Sequence, residues 1–201
     1  MNEALPQPRL LIVIGGSAGA VEALVQLVQH LPAQFVATVL VVVHIQARRW
    51  FGLPLTLQAW SVLPILDAID ESPITPAHIY IAPPDYHLLV GSERVQVVMG
   101  AKEHGFRPAI DPLFRTAARF HRDRVVGVLL SGALWDGTAG LAEIKACGGI
   151  TIVQDPQQAC VPSMPQTAIN YGVVDHILPV AEIAQLLVTL AQGSAIEEEL
   201  E

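Results

Sequence analysis

The sequence predicts an α/β fold in which a doubly wound, mostly parallel sheet is covered by helices on both faces. Three observations lead there. Apolar, largely β-branched runs with little alternation recur at 10–14, 39–43, 125–130 and 150–153, and strands of that kind are buried on both faces, as a parallel sheet between helices requires. Helical periodicities lie between the runs, at 20–30, 111–120, 138–146, 165–171 and 181–191; strand alternating with helix is the pattern of crossover connections. The chain of 201 residues is 15% charged, with a mean hydropathy of +0.46, which suits one domain with a wide core.

Taken in order, the first strand at 10–14 breaks into Gly15-Gly16-Ser17-Ala18-Gly19, after which Val21, Leu24, Val25 and Val28 repeat at helical spacing. That is a strand, a sharp turn and a helix with a serine at the corner. The spacing Gly15-x-Ser17-x-Gly19 fits a nucleophile elbow, whose small residues let the backbone bend and push a hydroxyl out above the sheet. Glycine-rich turns of this kind also bind phosphate or have no chemical role. The second strand, 39–43, ends in His44. Between 74 and 98, Pro76, Pro83, Pro84 and Gly91-Ser92 divide short strands at 78–81 and 95–99, which predicts a hairpin or antiparallel excursion. Pro108 and Asp111 read as the entry and cap of the helix that follows. The strand at 125–130 leads into Ser131-Gly132-Ala133-Leu134-Trp135-Asp136-Gly137, where Asp136 on its own reads as a turn or cap residue. A weaker strand is expected at 174–178. The expected boundaries are an N-terminal tail at 1–9, one domain at 10–192 and an acidic C-terminal tail at 193–201.

Composition excludes several classes. No apolar run is long enough to span a bilayer, and residues 1–9 lack the pattern of a signal peptide, so a cytoplasmic protein without membrane insertion is expected. A net charge of -8 speaks against a nucleic-acid partner. Cys147 and Cys160 are expected as reduced thiols. His87, His104 and His176 lack the spacing of a ligand set, and no metal is expected.

Ligands of doubly wound sheets gather beyond the carboxyl ends of the strands. Ser17, His44 and Asp136 each follow a different strand at that edge. A serine hydroxyl needs a base to take its proton during attack, and histidine does this near neutral pH. A carboxylate would hold the ring in its productive tautomer and stabilise the imidazolium. Amides near Ala18 and Gly19, or in the turn from Gly132 to Leu134, would receive the oxyanion. The expected reaction is ester or amide hydrolysis without a cofactor. The order Ser, His, Asp differs from the Ser, Asp, His of α/β-hydrolases, and the glycine spacing does not fit a dinucleotide site.

The chain resembles the catalytic domain of the CheB-type chemotaxis-receptor protein-glutamate methylesterases. The matching pieces are Ile14-Gly15-Gly16-Ser17-Ala18-Gly19, Val42-Val43-His44, Ile79-Tyr80-Ile81-Ala82-Pro83-Pro84-Asp85-Tyr86-His87, Arg107-Pro108-Ala109-Ile110-Asp111-Pro112-Leu113-Phe114, Leu130-Ser131-Gly132 with Asp136-Gly137-Thr138-Ala139-Gly140, Gln154-Asp155-Pro156, and Pro162-Ser163-Met164-Pro165. The resemblance implies a triad carried by Ser17, His44 and Asp136. It implies hydrolysis of glutamate γ-methyl esters on the cytoplasmic helices of methylated chemoreceptors, with release of methanol, and in some members deamidation of receptor glutamine. It also places Arg107 and Met164 at the rim of the site, Arg107 toward acidic receptor residues. Two departures stand out: Ile45-Gln46-Ala47-Arg48-Arg49 follows the histidine where a proline-bearing segment is usual, and Ala133-Leu134-Trp135 replaces Met-Gly-Asn. The short stretch before Leu10 leaves no room for a receiver domain, so control by a separate response regulator is expected, if there is such control at all. Two other readings stay open, an idle homologue serving as a regulatory or interaction module and a hydrolase of small esters or amides.

Overall fold

Burial on both faces dictates the centre of the molecule. Strands β1 (Leu11–Gly16) and β2 (Thr38–Val43) are buried at every residue, as expected of runs that offer no polar face to water. In the computed structural model, which describes residues 10–44 and 52–199, they lie within a seven-stranded sheet. Its other members are β3 (Ile65–Asp67), β4 (Ile79–Ile81), β7 (Val125–Leu129), β8 (Ile150–Gln154) and β9 (His176–Leu178). The order is β3-β4-β2-β1-β7-β8-β9, and every neighbouring pair is parallel. The expected tail at 1–9 and the segment 45–51, including Ile45-Gln46-Ala47-Arg48-Arg49, lie outside the described residues.

Alternation along each strand sorts the core into two layers. Ile12, Ile14, Val39, Val41, Val126 and Val128 pack with α1 (Ala20–Gln29), α2 (Leu53–Gln58) and α6 (Val180–Glu199). Leu11, Val13, Leu40, Val42, Val125 and Leu129 pack on the opposite face with α3 (Ile110–His121), α4 (Thr138–Ala146) and α5 (Ser163–Asn170). The predicted doubly wound fold is therefore the fold observed. The expected hairpin is also present, as the antiparallel pair β5 (His87–Val90) and β6 (Val95–Val98), whose Leu88, Val90 and Val95 join the α3 layer. Only this part of the expected excursion leaves the main sheet, because β4 pairs in parallel with both β2 and β3.

Two elements were not expected, α2 and β3. They span six and three residues, too few for a periodicity to register, and are fixed by burying Leu53, Leu57 and Ile65 at the sheet edge. At the other end, α6 runs on to Glu199 and so takes in most of the acidic stretch expected as a tail. Ile183, Ala184, Leu187 and Ala191 anchor it, and the helix-forming residues after them prolong it.

β1 occupies the switch of the winding. The chain leaves it toward β2 and later returns to its other side as β7, which opens a crevice beyond the carboxyl ends of these strands.

At the far end of α3, His121 is buried, and its Nε2 donates to the carbonyl of Gly91 in the hairpin turn at 2.9 Å. Burial holds this imidazole below the ordinary histidine pKa. The unfolded chain takes up a proton near pH 6.5 that the fold resists, so stability is lost as pH falls below about 6.5. The thermal midpoint should drop between pH 7 and pH 5.5, and the drop should shrink in His121→Gln.

Candidate active site

Gly16 of β1 pairs with Val43 of β2 in parallel register, so Ser17 and His44 stand side by side one residue beyond strands about 4.8 Å apart. The His44 amide donates to the Gly16 carbonyl at 3.1 Å. Ser17 is half-buried; its amide donates to the Ser131 carbonyl at 2.9 Å, and its own carbonyl accepts the amide of Ala20 at 3.0 Å. Ser131, fully buried after β7, ties down the remainder of the turn. Its hydroxyl donates to the Ala18 carbonyl at 2.7 Å and accepts the Val161 amide at 2.9 Å. The left-handed conformation in this turn falls on Gly19, at φ 79°. A side chain there would also collide with Cys160 Cβ at 2.5 Å and Ser131 Oγ at 2.7 Å, which is why the position requires glycine.

His44 Nε2 donates to Asp136 Oδ2 at 2.8 Å, and both side chains are essentially buried, at 2% and 0% exposure. The bridge spans 92 residues of sequence. Burial alone would raise the Asp136 pKa, but the bond from His44 and the amides of Ile110 (2.8 Å) and Asp111 (3.0 Å) outweigh it and hold the carboxyl below its ordinary range. An ionised carboxylate only accepts, so Nε2 carries the proton and Nδ1 is left as the basic nitrogen. Nδ1 is buried and has no hydrogen-bond partner among the described residues. The Ser17 hydroxyl makes no hydrogen bond to it here. The familiar template presents Nδ1 to the carboxylate; here the carboxylate is faced by Nε2 instead.

Asp111 completes an exchange between two helices. Its Oδ1 accepts the amides of Gly137 (3.0 Å) and Gly140 (2.7 Å) at the start of α4, while Asp136, just before α4, accepts the amides that begin α3. Each carboxylate thus satisfies the free N-H groups of the other's helix, where the helix dipole also favours negative charge. Burial and the nearby Asp136 charge push the Asp111 carboxyl above its ordinary pKa, against the Gly140 amide and His104. His104 Nε2 donates to Asp111 Oδ2 at 3.0 Å, and the Trp135 indole N-H reaches His104 Nδ1 at 3.2 Å. Ligand atoms of His104, Asp111 and Asp136 lie within 4.8 Å of one another, yet each carboxylate oxygen already accepts at least one N-H.

The rim is built from two turns. A Cβ placed at Gly132 would meet Ser17 Cβ at 2.9 Å and Met164 Sδ at 2.7 Å, so the nucleophile candidate, this turn and the first turn of α5 are in direct contact. The Gly132 carbonyl accepts the Met164 amide at 2.9 Å, and Met164 itself is buried. Ala133, Leu134 and Trp135 are exposed, with Leu134 at φ 70°. The amides of Ala18, Gly19, Ala133 and Leu134 engage no other described residue. Arg107 is committed inside the protein: Nε and Nη2 donate to Asp85 Oδ1 at 3.1 and 2.8 Å, and Nη1 to the Gly100 carbonyl. His87 is buried with both nitrogens satisfied, by the Ala101 carbonyl and the Ala109 amide. Cys147 and Cys160 are free thiols.

Two contributions escape sequence reasoning. Asp111 was expected to cap its own helix and instead caps α4; Phe106, in the connection between β6 and α3, stacks on His44 with ring centroids 3.7 Å apart and planes 6° from parallel. A lone phenylalanine and a helix-entry aspartate carry no spacing that would have marked either.

Comparison with known proteins points to one family. A sequence model described as CheB methylesterase matches residues 12–187. A Leptospira interrogans protein is 38% identical over 187 residues, covering 91% of this chain and 95% of its own length. A Symbiobacterium thermophilum protein-glutamate methylesterase/protein-glutamine glutaminase is 35% identical over 181 residues, 90% of this chain but 50% of that protein. The crystal structure of the Thermotoga maritima CheB methylesterase catalytic domain superposes with a TM-score of 0.87 at 31% identity, covering 91% of this chain and 99% of that one.

The Gly19 geometry makes a direct prediction. Gly19→Ala should destabilise the fold by about 1–3 kcal/mol, from left-handed strain and overpacking against Cys160 and Ser131. Urea unfolding measures it, and a change within 0.5 kcal/mol would show that the turn relaxes freely.

Proposed function

Because the chain belongs to the CheB methylesterase family, we propose that it is a protein-glutamate methylesterase that works through Ser17, His44 and Asp136. One observation carries the reading: a buried His44–Asp136 pair whose second ring nitrogen has no partner among the described residues, on the strand end beside Ser17. Ser17 Oγ attacks the γ-carbonyl carbon of a methylated glutamate as Nδ1 of His44 takes the hydroxyl proton. Asp136 stabilises the imidazolium, and the carbonyl oxygen, now negative, turns to the unspent amides among Ala18, Gly19, Ala133 and Leu134. Collapse breaks the bond to the methoxy oxygen, which leaves as methanol with the proton from Nδ1. Water then attacks the glutamyl-Ser17 ester by the same route and frees glutamate. A glutamine side chain would pass through the same acyl-enzyme with ammonia as the leaving group. No step requires a cofactor.

The substrates proposed are the cytoplasmic helices of methylated chemoreceptors, and the setting is the cytoplasm. None of the helices among the described residues is long and apolar enough to cross a membrane. A separate response regulator is proposed as the controlling partner. The idle-module reading is not favoured, since an unpartnered imidazole nitrogen and unspent amides are what turnover would need and a scaffold would not.

Methanol release from a helical peptide bearing a glutamate γ-methyl ester tests the reading. Ser17→Ala should abolish it with the fold intact, and turnover near that of the parent would remove Ser17 from the mechanism. Asp136→Asn should lower kcat by roughly 10³- to 10⁴-fold through the wrong tautomer and orientation of His44.

A further inference from the structure

A single hydrogen bond at one corner of an imidazole leaves the ring free to turn about that bond. His44 has no second hydrogen bond among the described residues, yet an effective base must keep Nδ1 aimed at the serine. Phe106 lies flat on the imidazole, with ring centroids 3.7 Å apart and planes 6° from parallel. This phenylalanine belongs to neither hydrophobic core. Its ring contact among the described residues is with the imidazole.

The segment that carries Phe106 is built to be rigid. Glu103 and Phe106 exchange two backbone hydrogen bonds, at 3.1 and 2.8 Å, around His104 and Gly105 at φ 53° and 84°. Positive φ at both central residues is the pattern of a type I′ turn. Two neighbouring side chains then fasten the turn to α3. Arg115 Nη2 lies 2.9 and 3.0 Å from the two carboxylate oxygens of Glu103, and His104 Nε2 lies 3.0 Å from Asp111 Oδ2. Asp111 and Arg115 are four residues apart and share one face of the helix. Beyond the turn, Arg107 is tied to Asp85 and Gly100. The surface pair Glu103–Arg115 contributes little energy by itself; its effect is to set where the ring of Phe106 lies.

We propose that Phe106, clamped to α3 through Glu103–Arg115 and His104–Asp111, is a positioning residue that fixes the plane of the His44 imidazole and keeps water from its face. The inference rests on the reading of His44 as the base.

The test uses the full chain and the methylated-glutamate peptide, read as methanol release. Phe106→Leu keeps an apolar side chain but loses the flat face; kcat should fall by about 10- to 100-fold, the scale of a small misplacement of a catalytic group, with KM within about twofold. Phe106→Tyr should restore kcat to near the parent value. Glu103→Arg and Arg115→Glu should each lower kcat, and the double variant with the charges exchanged should recover it. An unchanged kcat in Phe106→Leu, a loss confined to KM, or an equal loss in the Tyr variant would overturn the proposal. Should Phe106→Leu not fold, the charge-exchange series decides alone, and failure of the double variant to recover activity would count against the clamp. Ser17→Ala separates the two levels: if it retains turnover the triad reading fails, whereas if it is inactive and Phe106→Leu is not impaired only the positioning role fails.

Discussion

The exchange of carboxylates between α3 and α4 is the constraint on which the rest of the site depends. Asp136 takes the amides of Ile110 and Asp111, and Asp111 takes those of Gly137 and Gly140. Neither helix begin is closed by the side chain of its own capping residue, so each relies on the other. The arrangement meets the need for acceptors at two buried helix starts. It also leaves Asp136 with one lone-pair direction aimed at His44. A carboxylate held by two amides is fixed in place beside the imidazole, as the orienting role proposed for it would require.

The sheet supplies the second half of the geometry. Parallel register sets the ends of β1 and β2 level, and the switch of winding at β1 leaves room above them where no crossover passes. Ser131, at the end of β7, holds the Ser17 turn by both its carbonyl and its hydroxyl. The serine is thus placed from β1 and β7, the histidine from β2, and the aspartate from the loop before α4. His44 and Asp136 meet, with Ser17 on the neighbouring strand end, because β2, β1 and β7 are neighbours in the middle of one sheet.

Around this centre the protein spends polar groups on holding its loops. Arg107, which resemblance placed at the rim to meet acidic partners, has its guanidinium turned to Asp85 and Gly100. His104, unremarkable by spacing, links Trp135 to Asp111. The exposed Leu134 in a left-handed conformation stands where bulky residues are rare, in the turn that touches Ser17.

How much of this was legible beforehand follows from the range of the interactions. The two-layer fold, the strand-turn-helix at Ser17 and the hairpin were readable because burial periodicity and turn chemistry are local, set by residues a few positions apart. Ser17, His44 and Asp136 could be placed at one edge of the sheet because each ends or follows a strong strand signal. The sequence alone could not show that Asp111 would cap a different helix, that the imidazole would offer Nε2 and not Nδ1 to the carboxylate, or that Phe106 would cover its face. Those depend on how close α3 is brought to α4 and to the end of β2, a distance set by side chains packing between layers and not written at any one position. Composition and periodicity determined which elements form; the tertiary structure decided which polar atoms they would share, because a buried donor or acceptor takes whichever partner the packing leaves within reach.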